Sequence, residues 1–107
     1  MRVVLSSQAR GDVGSIARHT AQEFGALQKQ RYMAGLREHL EILGANPSLG
    51  RLLVESSGLR VSHYQRHRVL YRVLADVLEV ARVLHDARQA ELERVLAREA
   101  ERQHRDP

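Results

Sequence analysis

The chain has 107 residues, of which 43% are hydrophobic and 28% charged, and it contains no cysteine. This length accommodates one domain with a single core, and the composition excludes wholesale disorder and a disulfide framework. The apolar runs are too short for a membrane span or a secretory signal, so we expect a cytoplasmic protein. The net charge of +4 comes almost entirely from arginine, because Lys29 is the sole lysine, and it suits an anionic partner such as nucleic acid or an acidic peptide.

The first half of the chain predicts a strand followed by two helices. Residues 2–5 are apolar and β-branched, which favours a strand. Ser6 or Ser7 can then cap a helix that ends at Gly25, and a second amphipathic helix follows over residues 26–43. Because Gly25 leaves little linker, we expect the two helices to form an antiparallel hairpin.

The second half predicts three strands. The segment 44–51, GANPSLGR, is rich in turn residues and ends the second helix. Three apolar runs follow at about 59–64, 67–74 and 77–84, and only two residues separate each run from the next. Connections this short favour an antiparallel meander.

Alternation along these strands distinguishes two faces of the predicted sheet. In the middle strand one face carries Val69, Tyr71 and Val73, and the other carries Arg68, Leu70, Arg72 and Leu74. We predict that the first face is the core, with Tyr71 filling it and its hydroxyl reaching a polar partner. Since arginine is costly to bury, the strand arginines are expected on a solvated or ligand-facing side. They are Arg60, Arg68, Arg72 and Arg82.

The last part of the chain, residues 87–105, is rich in helix formers and in charge. Glu91 and Glu93, followed by Arg94, suggest an exposed helix laced with ion pairs, and a solvated or frayed extension is the plainer interpretation. We therefore divide the chain into a domain over residues 1–86 and a helical extension of that domain over residues 87–107.

The histidines offer the main candidates for proton transfer. His63 and His67 lie on adjacent predicted strands and could approach one another, but no third ligand is evident, so we predict no metal site. His85, at the end of the last strand, could transfer a proton near neutral pH, or it could simply cap the sheet edge.

Several segments together carry a resemblance to a known family. They are LSSQARGDVGSIARHTAQEFG, QRYMAGLREHLEIL, NPSLGR, GLRVSHYQRHRVLYRV and VLEVARVLHDARQ. In this order and spacing they resemble the ParE branch of the RelE/ParE toxin superfamily, over about residues 3–90.

The resemblance implies an α+β fold in which an N-terminal strand and an antiparallel two-helix hairpin pack on a twisted, mainly antiparallel sheet (β-α-α-β-β-β). It implies a bacterial toxin of a type II toxin-antitoxin pair, of the kind linked to plasmid stabilisation. Such a toxin needs no cofactor and no membrane, and it forms a heteromeric complex with its antitoxin. ParE-like members are associated with inhibition of DNA gyrase, whereas RelE-like members cleave mRNA on the ribosome.

The candidate site residues follow from the arginine pattern and the resemblance together. The antitoxin is expected to contribute an acidic, amphipathic carboxy-terminal segment whose carboxylates pair with the strand arginines. The residues expected to bind antitoxin or target are Arg60, Arg68, Leu70, Arg72 and Arg82. If the chain is instead a ribonuclease, Arg68 and Arg82 would hold the phosphate and His85 would move a proton.

Overall fold

The computed structural model describes the backbone of residues 1–104 and the side chains of residues 1–101. The helices and strands follow one another as β1 (Arg2–Leu5), α1 (Ser7–Phe24), α2 (Ala26–Ala45), β2 (Arg51–Val54), β3 (Leu59–Tyr64), β4 (His67–Leu74), β5 (Val77–His85) and α3 (Gln89–His104). Within residues 1–104, none of the helices has the length and apolar character needed to cross a membrane.

The strands form one five-stranded sheet in the order β1-β5-β4-β3-β2. The strands from β2 to β5 pair antiparallel, and β1 pairs with β5 in parallel. The predicted α+β fold, with its helical hairpin and mainly antiparallel sheet, is confirmed. Strand β2 was not predicted, because it is a short edge strand in which Arg51 and Leu52 are both exposed and no alternation marks a buried face.

The helical hairpin covers one face of the sheet. The Ser6 hydroxyl caps α1 by accepting a hydrogen bond from the Ala9 amide at 3.0 Å, and Gly25 connects the helices with a φ of 90° that favours glycine. The main core between hairpin and sheet consists of Ala9, Ile16, Leu36, Leu43, Val69, Tyr71, Leu78, Val80 and Val83. The predicted core face of β4 is thus confirmed at Val69 and Tyr71, whereas Val73 is exposed.

Helix α3 covers the opposite face of the sheet. A second core there consists of Leu59, Val61, Leu70, Ala81, Leu84 and Val95, with Leu92 and Leu96 partly buried against it. The interpretation of residues 87–105 as a solvated extension is therefore wrong over the described part of α3. Its buried stripe is short and contains a glutamate, Glu99, so periodicity alone did not reveal it. Residues 105–107 lie outside the described residues.

A bulge in β5 decides which side chains reach each face. Tyr71 pairs with Val80 but Leu70 pairs with Arg82, so Ala81 is an extra residue in β5. Beyond the bulge the alternation is reversed, and Arg82 comes to lie on the same side as Leu70. Simple alternation along β5 would place Val83 on the side opposite Val80, but both are buried in the core beneath the hairpin.

Candidate functional site

Arg72 is buried beneath α3 in an ion pair. Its two terminal nitrogens bond the two carboxylate oxygens of Glu99, Nη1 to Oε2 at 2.9 Å and Nη2 to Oε1 at 2.6 Å. Both side chains are at most 10% exposed, and Arg72 Nε lies 3.7 Å from a carboxylate oxygen of Glu79. This bidentate contact holds α3 against the sheet, because it combines charge attraction with two directional hydrogen bonds.

Arg82 joins α1 to α3 around the edge of β5. Its Nε and Nη2 bond the two carboxylate oxygens of Asp12 at 2.8 and 3.0 Å, and its Nη1 bonds Glu91 Oε1 at 2.9 Å. The hydrogen bonds to Asp12, and then those to Glu91, raise the pKa of Arg82 above its ordinary value. Its guanidinium is thus committed to two carboxylates of the same chain.

Glu91 also bonds Arg94, one turn further along α3. Arg94 first and Arg82 second lower the pKa of the Glu91 carboxyl to about 2. Glu91 is therefore ionised at any physiological pH and keeps its contact with Arg82.

Arg68 and Leu70 lie on the same side of the sheet as Arg72. Arg68 Nη1 donates to Gln89 Oε1 at 3.1 Å, and its Nε lies 3.5 Å from Asp86. Leu70 is fully buried. We call this side the α3-covered face. It is the surface formed by Arg68, Leu70, Arg72, Arg82 and the strand residues of the second core.

Arg60 lies on the hairpin side of the sheet, away from the other three arginines. It pairs with Tyr71 across the sheet, and its Nη1 donates to the carbonyl oxygens of Gly50 at 2.8 Å and Ser48 at 3.4 Å. Two corrections follow for the predicted arginine surface. Arg60 is not part of it, and Arg72 and Arg82 are covered by the chain's own helix instead of facing solvent.

A second candidate site is an open groove of about 1310 Å³, between the helical hairpin and the junction of β4 with β5. The ion-paired Asp12, Arg82 and Glu91 form part of its lining, and its other charged and aromatic groups are basic or neutral, including His19, Arg31, Tyr32, Tyr64, Arg66, His67, His85 and Arg88. We call it the hairpin groove. It is larger than the roughly 300–1,000 Å³ of most small-molecule sites, and its lining suits an anionic stretch of a macromolecule.

Tyr32 and His67 form the polar centre of the hairpin groove. The Tyr32 hydroxyl and His67 Nδ1 are hydrogen-bonded, and the ring of His85 stands edge-on to that of His67 at a centroid distance of 5.2 Å. Burial, and then the neighbouring His85, lower the pKa of His67, while burial raises the pKa of Tyr32 to about 12. A neutral tyrosine thus donates to a neutral imidazole at pH 7.

The histidines are arranged differently from the prediction. His67 meets His85, its direct partner across the sheet, whereas His63 is paired with Arg68 and points to the other side. His85 is exposed, and its Nδ1 accepts the amide of Ala87 at 3.0 Å. In the described part of the chain no three His, Cys, Asp or Glu side chains are placed to hold a metal ion.

The sequence did not predict the three carboxylates that pair with Arg72 and Arg82, which belong to Asp12, Glu91 and Glu99. Glu91 and Glu99 lie near the short stripe formed by Leu92, Val95 and Leu96, which is only a weak signal of a packed helix. Asp12 is 70 residues from Arg82 in the sequence, and no local pattern links them.

The sequence matches the family described as "ParE toxin of type II toxin-antitoxin system, parDE" over residues 3–90. The chain therefore belongs to the ParE toxin family, whose members are the toxins of type II toxin-antitoxin systems. A comparison with curated proteins gives no match.

Solved structures of toxin-antitoxin systems share the fold. The chromosomal ParDE system from P. aeruginosa matches with a TM-score of 0.67 and 20% identity, over 79% of this chain and 95% of that chain. The RelBE2 complex from Mycobacterium tuberculosis matches with a TM-score of 0.59 and 22% identity, over 78% and 95%. The YoeB-YefM complex from Staphylococcus aureus matches with a TM-score of 0.55 and 17% identity, over 79% and 95%.

Proposed function

We propose that this chain is a toxin neutralised by a cognate antitoxin, and that the free toxin acts in the cytoplasm by binding and inhibiting DNA gyrase. The family match to ParE toxins supports the first part, and the similarity to a ParDE system supports an antitoxin as partner. On this proposal the chain performs no covalent chemistry of its own and needs no cofactor.

The pairing of the strand arginines with groups of the same chain is the observation that favours a binding mechanism over RNA cleavage. Cleavage of RNA by attack of a 2'-hydroxyl needs cations that are free to meet the phosphate. Arg72 and Arg82 are instead held by carboxylates of the same chain, and Arg68 lies between Gln89 and Asp86. A binding mechanism requires no such free cations.

The alternative is a RelE-like, ribosome-dependent mRNA endoribonuclease. One observation favours it, which is that His67 and His85 stand side by side in a groove that also contains Arg31, Arg66 and Arg88. In this mechanism a groove arginine would hold the scissile phosphate and His85 would transfer the proton.

Two assays distinguish the candidates. Purified toxin is titrated into a gyrase supercoiling reaction and, separately, into a translating ribosome mixture in which mRNA cleavage is mapped. We expect supercoiling to be inhibited equally by the wild-type protein and by His85→Ala, and the mRNA to stay intact. His63→Ala is the matched control, because His63 is an exposed histidine on the opposite side of the sheet. Cleavage that His85→Ala abolishes, with supercoiling unaffected, would refute gyrase inhibition.

A further inference from the structure

The α3-covered face is made by one part of the chain and covered by another. Arg72 and Arg82 lie within the region that matches the ParE family, which ends at residue 90, whereas Glu91 and Glu99 follow it. Strand β1 begins one residue before the matched region, the other four strands and the helices α1 and α2 lie within it, and only α3 continues beyond its end. The family part thus provides a basic and apolar surface together with Asp12, and the extension adds the carboxylates of Glu91 and Glu99.

The contacts of α3 describe the ligand that this surface fits. Val95 is buried and Leu92 and Leu96 are partly buried on the strand leucines, while Glu91 and Glu99 bond the two arginines. The surface therefore takes an amphipathic helix with a short aliphatic stripe between two carboxylates eight residues apart. These are the properties expected of the antitoxin segment under the proposed function.

Helix α3 is attached in a way that permits exchange. Among its described side chains only Val95 and Glu99 are buried, so its apolar contact is small. Release of Glu99 alone would leave the Arg72 guanidinium with only the more distant Glu79 carboxylate, 3.7 Å from its Nε, which is unfavourable while Arg72 stays buried. An incoming carboxylate avoids this cost because it replaces Glu99 on the same guanidinium.

We propose that α3 occupies, in the free toxin, the surface that binds the acidic helix of the antitoxin, and that the antitoxin binds by displacing α3. This inference rests on the proposed neutralisation by an antitoxin. The short segment between His85 and Gln89 is the hinge about which α3 leaves. Because Arg88 and Glu91 also line the hairpin groove, displacement of α3 changes one wall of that groove.

The competition has a measurable consequence for affinity. A site that is open only part of the time binds its ligand more weakly, in proportion to the open fraction. Changes that weaken α3 in place should therefore tighten binding of a helix added in trans. The double variant Glu91→Gln/Glu99→Gln is such a change. Glu93→Gln/Glu101→Gln is its control, because it removes the same charge from exposed positions of the same helix.

The first experiment uses a fluorescently labelled peptide with the sequence of residues 87–104 and the full chain. We expect the peptide to bind Glu91→Gln/Glu99→Gln about ten-fold or more tightly than it binds the wild-type chain or the control. The single variant Glu91→Gln, in which Arg82 keeps its contact with Asp12, should show a smaller gain in affinity for the peptide. It replaces the double variant in the experiment if the double variant does not fold. Equal affinity for all folded variants would overturn the inference.

The second experiment measures amide hydrogen exchange of the full chain, alone and in complex with a candidate antitoxin. The candidate is the protein encoded by the neighbouring reading frame. We expect α3 amides to lose protection on binding, while the amides of the strands β3, β4 and β5 gain it. A complex in which α3 stays protected refutes displacement but leaves neutralisation standing. Failure of that protein to bind the chain refutes neutralisation, and the peptide experiment still decides whether the covered surface accepts a helix.

Discussion

His67 is held neutral by its surroundings. It is half-buried between the Tyr32 hydroxyl and the ring of His85, and burial, followed by the nearby His85, lowers its pKa. Burial also lowers the pKa of His39, whose Nε2 lies 2.8 Å from the Ser62 hydroxyl. Both imidazoles belong to the packing between the hairpin and the sheet, so their protonation is linked to the stability of that packing.

We expect the free energy of unfolding to fall as the pH is lowered from 7.5 to 5.5. The folded pKa of His67 lies below its unfolded value of about 6.5, so the unfolded chain takes up the proton first. The stabilisation is complete above that value and is lost as the pH falls toward the folded pKa. Urea denaturation at a series of pH values measures it.

His67→Gln should reduce this dependence of the unfolding free energy on pH. Adding His39→Gln to it should reduce the dependence further. His63→Gln is the control, because His63 is exposed. If the unfolding free energy of His67→Gln changed with pH as much as that of the wild type, the folded state would not favour the neutral form of His67.

At the scale of elements, the Tyr71 side chain of the sheet holds the loop between α2 and β2 in place through hydrogen bonds. The buried Tyr71 hydroxyl donates to the carbonyl of Pro47 at 2.7 Å and accepts the amide of Gly50 at 2.8 Å. A Cβ at Gly50 would lie 2.7 Å from that hydroxyl and from the Val61 carbonyl, so only glycine permits this close approach. The predicted polar partner of Tyr71 is thus the backbone of the loop.

Tyr71→Phe should lower the free energy of unfolding by about 1–3 kcal/mol, because it leaves a buried amide and a carbonyl without their partner. The amides of the loop should also exchange faster. Chemical denaturation and hydrogen exchange give the two quantities. Tyr64→Phe is a useful comparison, since its hydroxyl donates to the Tyr32 carbonyl at 3.0 Å in a partly exposed place and should matter less. A Tyr71→Phe protein as stable as the wild type would contradict this role.

At the scale of the whole molecule, one sheet separates two cores that different parts of the chain complete. The hairpin closes the first and α3 closes the second. Leu70 and Leu78 are both fully buried but lie on opposite faces, whereas Leu74 is 45% exposed. These three leucines allow the two cores to be compared with the same chemical change.

Leu70→Ala and Leu78→Ala should each lower the free energy of unfolding by roughly 2–4 kcal/mol, because each removes apolar contacts and leaves a cavity. Leu74→Ala should change it by no more than about 0.5 kcal/mol. Hydrogen exchange then separates the cores, since only Leu70→Ala should lower the protection of α3 relative to the rest of the chain. If Leu70→Ala were as mild as Leu74→Ala, α3 would not form a core with the sheet.

The amino-acid sequence alone is enough to predict the order of the main elements and the hairpin face of β4. These depend on local patterns, namely the alternation at Val69 and Tyr71, the cap at Ser6 and the turn residues around Pro47. Each involves neighbours in sequence, so a single stretch of chain carries the whole signal.

Where the arginines point, and which groups they contact, depends on the tertiary fold. The bulge at Ala81 reverses the alternation of β5, and it arises from pairing with β4 instead of from any residue preference. Asp12 reaches Arg82, and Glu99 reaches Arg72, across long separations in sequence. A buried arginine is favourable only beside a carboxylate placed by the rest of the fold, so the charge pattern that predicted an open anion-binding face could not reveal that α3 already covers it.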